Sequence, residues 1–205
     1  MKLRSIAILL AVALASAAAH AQAGVYLAFD AQQFDQSGIY ANPGIHGNVD
    51  RPWLFGPAYG IYYDVTRLPR FGALHTGPVI LGIDGRGDTL RLAEYGSQLD
   101  RQDGIFSLRL TSRKAFMRST PYIQGGFGIG HTRIPFRTTY NNNFVYQFGG
   151  GVDRKLRGRI DWRVVEATAG FLANYPVGAG AGQSNFLVTL GTGLVVRLDK
   201  EAASR

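Results

Sequence analysis

The chain has no cysteine, which excludes a disulfide framework, a cysteine-ligated metal centre and a thiol nucleophile. Nowhere does it hold the roughly 20 consecutive apolar residues that a membrane-crossing helix needs, so a helical membrane protein is excluded as well. Histidine is scarce: His20, His46, His75 and His131. None of them stands with carboxylates at metal-ligand spacing, so neither a metal nor any other cofactor is expected. Helical periodicity is also hard to find after the first two dozen residues.

What is present begins with an export signal. Lys2 and Arg4 precede an apolar run from Ile6 to Leu14, and small residues then lead to Ala21-Gln22-Ala23. A charged start, a short apolar middle and an A-x-A site are the layout of a secretory signal peptide, so residues 1–23 are expected to be removed on Sec export. The formal net charge of +8 invites a nucleic-acid reading, but export argues against that partner.

The rest is rich in Gly, Tyr and Phe, and it alternates at period two in segment after segment. Strands are expected at about 25–34, 53–65, 73–86, 104–113, 121–132, 143–154, 159–172 and 184–198. Their two faces differ. Trp53, Phe55, Tyr59, Ile61, Tyr63 and Val65 share one side of the second segment, opposite Leu54, Gly56, Ala58, Gly60, Tyr62 and Asp64. In the fourth, Phe106, Leu108 and Leu110 oppose Ser107, Arg109 and Thr111. In the sixth, Phe144, Tyr146, Phe148 and Val152 oppose Gln147, Gly149, Gly151 and Asp153. A narrow barrel has no room for all these rings in its middle, whereas the small face fits there. Turning the bulky face outward then makes an apolar surface that only lipid tolerates. The pattern predicts an all-β fold, a closed antiparallel up-and-down transmembrane β-barrel of eight strands over residues 24–198, with a polar tail at 199–205.

The expected connections alternate in length. Those at 66–72, 114–120 and 155–158 are short; those at 35–52, 87–103, 133–142 and 173–183 are longer and hold loop-forming stretches such as Asp84-Gly85-Arg86-Gly87-Asp88 and Tyr140-Asn141-Asn142-Asn143. Short periplasmic turns and long outer loops are the habit of outer-membrane barrels. This places both chain ends in the periplasm and makes Arg51 and Arg101 the exposed trypsin sites.

With its signal, its alternation, Gly149-Gly150-Gly151 and its terminal strand, the chain resembles the small bacterial outer-membrane β-barrel family, including the OmpA-type transmembrane domain and porin-like domains. Gly193, Val196 and Leu198 match the last elements of that family's C-terminal assembly signal, although Leu198 replaces the usual aromatic residue. The resemblance implies outer-membrane lipid and the barrel-assembly machinery as partners, with the outer loops open to an unknown ligand.

The polar residues expected in the lumen are Asp84, Arg86, Arg109, Arg113, Asp153, Asp161, Arg163 and Glu166. Both signs occur, so these residues can pair and fill the interior as a plug, which a narrow barrel favours over a pore. Catalysis is not expected: His131 has no serine nearby on its face, and the His-x-Ser pattern of barrel acyl hydrolases is absent. The glycine run 125–130 is not followed by a helix and reads as strand. Tyr62, Tyr63, Trp53, Tyr122, Trp162 and Tyr175 fit interfacial girdles better than a ligand groove. The competing readings are a soluble lipocalin-like carrier of an apolar ligand and, more remotely, a lipid-modifying membrane enzyme.

Overall fold

The computed structural model describes residues 22–34, 53–68, 79–92, 100–112, 118–133, 140–174 and 184–198. The strands are β1 (Ala23–Phe34), β2 (Trp53–Leu68), β3 (Val79–Arg91), β4 (Asp100–Ser112), β5 (Ser119–Arg133), β6 (Tyr140–Arg157), β7 (Ile160–Asn174) and β8 (Ser184–Arg197). Each pairs antiparallel with the next, and β1 pairs with β8, so the sheet closes in sequence order. Leu27, for example, faces Tyr59 on one side and Leu194 on the other. Closure leaves no strand edge with unpaired backbone groups, the condition for a sheet that lies in lipid.

Alternation decides which side chains turn inward. Phe29, Tyr59, Ile61, Leu108, Phe127, Phe148 and Leu194 are exposed on the outer wall. Tyr26, Ala58, Asp84, Arg109, Gln124, Gln147, Thr168 and Thr189 are buried in the lumen. Phe148, at 65% exposure, has no packing reason to point outward in water. The outer wall carries few charges over its middle, and ring pairs such as Phe106–Phe127 and Phe171–Phe186 lie across neighbouring strands there.

The strands run further than the sequence suggests. Gly87 and Asp88, expected to open a loop, lie within β3; Asn141 to Asn143 lies within β6. Arg101, expected in an exposed loop, is fully buried in β4. The physical reason is common to all three: polar and glycine residues signal a loop where water must solvate them, but a barrel lumen supplies partners of its own. The third connection on the chain-end side shrinks to Gly158-Arg159 between Arg157 and Ile160. Gly158 has a positive φ of 56°, which a two-residue hairpin accommodates with glycine at its first position. Strict alternation of connection length also fails, because the interval 69–78 is longer than 92–99. Residues 1–21, with most of the expected signal, lie outside the described residues, as do Arg51, His75, Arg113 and Tyr175.

Candidate functional site

The lumen has two storeys. Toward the end where β1 joins β2, Leu54, Leu90, Ile105, Val145, Leu172 and Leu187 form one buried apolar cluster, with Leu92 packed against it. These residues come from six of the eight strands.

The middle storey is ionic. Arg86 binds Asp30 and Glu166 with its two terminal nitrogens. Arg163 reaches Glu166 at 2.9 Å and Asp153 at 3.1 Å. Arg109 donates to the second oxygen of Asp153 at 2.8 Å. Asp30, Arg86, Glu166, Arg163, Asp153 and Arg109 therefore make a chain of alternating sign that crosses the lumen from β1 through β3, β7 and β6 to β4. All six are buried, where an unpaired charge would be heavily penalised and a paired, hydrogen-bonded one is tolerated.

Three tyrosines complete the storey. Tyr122 donates its hydroxyl to Glu166, and Tyr26 donates to Asp84 at 2.9 Å. The Arg109 guanidinium lies 3.6 Å from the Tyr122 ring centre and 4.6 Å from that of Tyr62, while Arg163 lies 4.1 Å from that of Tyr26. Flat guanidinium groups stacked on ring faces fill space as well as balance charge. Glycine makes the room: a methyl group on Gly151 would stand 2.6 Å from the Tyr122 hydroxyl. Nearer the apolar storey, Arg101 binds Asp103 through two nitrogens, at 2.6 and 2.9 Å, and the Asp103 amide donates to Asp88 at 3.3 Å. At the opposite end Arg197 binds Asp161 at 2.5 Å.

Of the residues expected in the lumen, Asp84, Arg86, Arg109, Asp153, Asp161, Arg163 and Glu166 all point there; Arg113 is outside the described residues. Arg163 and Glu166 share a face despite their odd spacing. Register supplies the cause: Arg163 faces Gly193 and Glu166 faces Gly191, so β7 carries one extra residue at a bulge, which resets the alternation. The sequence reading omits Asp30, Asp88, Arg101 and Asp103. Alternation of Ala28 and Asp30 with Leu27 and Phe29 is the signal that finds the first; the others fall in the stretch assigned to a loop. Tyr62 and Tyr122 are lumen residues, as their alternation implies and a girdle role does not, whereas Trp53 and Trp162 lie on the outer wall.

Chemically this arrangement holds charge in place. His131 is exposed on β5, away from the lumen carboxylates. Among the described residues there is no cluster of three or more His, Asp or Glu suited to a metal ion.

No family model matches the chain, and no curated protein matches it. Solved structures do. Neisserial surface protein A matches with a TM-score of 0.59 at 8% identity, covering 85% of this chain and 96% of that one. The attachment invasion locus protein of Yersinia pestis gives 0.45 at 10% identity over 86% and 98% of the two chains. A major outer membrane protein from Thermus thermophilus gives 0.36 at 11%, over 85% and 99%. At these identities the likeness concerns architecture: the chain has the closed, eight-stranded barrel fold seen in Neisserial surface protein A.

Proposed function

We propose that this protein is a bacterial outer-membrane barrel with a closed lumen, a rigid non-catalytic mount for the segments that join its strands at the apolar-storey end. The single observation that carries this reading is the inversion of polarity: charges are buried inside and large apolar side chains exposed outside. A water-soluble carrier of an apolar ligand requires the reverse, an apolar cavity under a polar exterior. The lumen here is crossed by ion pairs and packed at one end with apolar side chains, which supports the closed reading. Both barrel ends of the chain lie on the side of the Gly158-Arg159 turn. In the outer membrane this side faces the periplasm, and the segments 35–52, 92–99, 134–139 and 175–183 face outward, where a surface partner can bind. The terminal strand β8, which closes the barrel against β1, is the element offered to the assembly machinery.

Envelope fractionation and trypsin treatment of intact cells test this. The chain is expected with the outer membrane, folded in a heat-modifiable form, and cut in the outward segments at Arg137; Arg51 precedes Pro52, a bond that trypsin leaves intact. Arg101 should resist, since it is buried in β4. Recovery of a detergent-independent soluble monomer, or cleavage at Lys155 in intact cells, would overturn the membrane reading or its orientation.

A further inference from the structure

The two rims of the barrel differ in charge. At the rim of the Gly158-Arg159 turn, Arg67, Arg118, Arg154, Arg157 and Arg159 are exposed. The carboxylates of the described residues toward that end, Asp64, Asp153 and Asp161, are all buried. At the other rim, by contrast, Arg91 is matched by Asp100 at 3.2 Å. One rim is a basic collar and the other is mixed.

Register concentrates the collar on one flank. Arg118 adjoins β6, its carbonyl accepting from the Lys155 amide at 3.0 Å. Arg154 faces Ser119 on one side and Trp162 on the other. Its column also carries exposed Leu156, and Ile160 is exposed nearby. Trp162 is held in place by its indole, which donates to the Thr192 hydroxyl at 3.1 Å. Arg154 thus sits within the edge of the apolar belt, between a tryptophan and a leucine, and its long stem can lie along that surface while the guanidinium reaches the polar layer. The groups found at that depth of a bilayer are lipid phosphates, for which a guanidinium is a bidentate donor.

We propose that this flank of the turn-side rim selects anionic phospholipids, with Arg118, Arg154, Arg157 and Arg159 gripping their phosphate groups and Trp162 and Leu156 packing against the adjoining chains. The proposal rests on the membrane-spanning reading above. Its test separates the two. The full barrel is reconstituted into phosphatidylcholine vesicles, with insertion checked by protease protection and heat-modifiable migration. It is then taken into neutral detergent with equal amounts of phosphatidylglycerol and phosphatidylcholine, and retained lipids are counted by native mass spectrometry.

The wild-type protein should retain phosphatidylglycerol preferentially. Each Arg→Gln change at the four positions should weaken that preference on the order of fivefold, and Arg154→Lys, which keeps the charge but loses the bidentate fork, should keep only part of it. The control pair Arg91→Gln and Arg133→Gln should leave it intact. Equal retention of both lipids by an inserted barrel, or an equal loss in the control pair, would overturn the proposal while leaving the membrane reading standing. Failure to insert would overturn both. Competition by soluble glycerophosphoglycerol as effective as that by the intact lipid would show a free-phosphate site in place of a lipid-binding flank, and would also overturn it.

Discussion

The two storeys of the lumen solve one problem by opposite means. Leu54, Leu90, Ile105, Val145, Leu172 and Leu187 close the barrel by apolar packing. Further along the barrel axis, Asp30, Arg86, Glu166, Arg163, Asp153 and Arg109 cross it as a chain of alternating charge. A leucine lost leaves a cavity whose walls relax in part. A charge lost strands its neighbours in a medium that cannot solvate them. The two storeys therefore fill the lumen differently: one by apolar packing, the other by ion pairs that link β1, β3, β4, β6 and β7 across it.

The largest effect should come from Glu166, which binds Arg86, Arg163 and Tyr122. Glu166→Ala is expected to cost about 3–5 kcal/mol, by urea unfolding in lipid, because two arginines lose their shared carboxylate. Arg163→Ala should cost on the order of 3 kcal/mol for the same reason, stranding Asp153 and Glu166. A cost near zero would mean that water reaches the network.

Leu172→Ala probes the other storey and is expected to cost about 3 kcal/mol. Combined with Glu166→Ala it asks whether the two storeys are separate: their costs should add to within about 0.5 kcal/mol if they are independent. Strong coupling would merge them into one unit. Tyr122→Phe keeps the ring on Arg109 and removes only the hydroxyl bond to Glu166, so a loss of about 2 kcal/mol is expected, as for a hydrogen bond to a charged group. The smallest effect belongs to the rim. Arg91 has a side chain 73% exposed, and Arg91→Ala should change stability by less than about 1 kcal/mol despite its ion pair with Asp100.

Much of this fold was legible because alternation is a local signal. Phe106 and Arg109 declare their faces within four residues, and eight such segments of spanning length leave few architectures open. Strand ends were less legible. Asp84-Gly85-Arg86-Gly87-Asp88 carries the composition of a turn: alternation puts Asp84 and Arg86 in the lumen, but Asp88 reads as loop, and only the partners that Arg86 finds in Asp30 and Glu166 show why the strand continues through it. Those partners are distant in sequence, so no window around Arg86 contains them. The bulge between Arg163 and Glu166 is similar: it shows in the pairing with β8 and not in the composition of β7. For Tyr62 and Tyr122 alternation and residue type disagree: position puts them with the small inward residues, tyrosine chemistry suits a girdle as well, and their partners in the lumen decide.

The closed lumen is the central claim for this barrel, and planar-bilayer recording of the purified, folded protein is its sharpest test. A barrel sealed by six apolar side chains and crossed by an alternating chain of charges should show no large, steady conductance at moderate voltage. Glu166→Ala should introduce at most brief openings as the freed arginines move. A large and sustained open current from the unmodified protein would contradict the account.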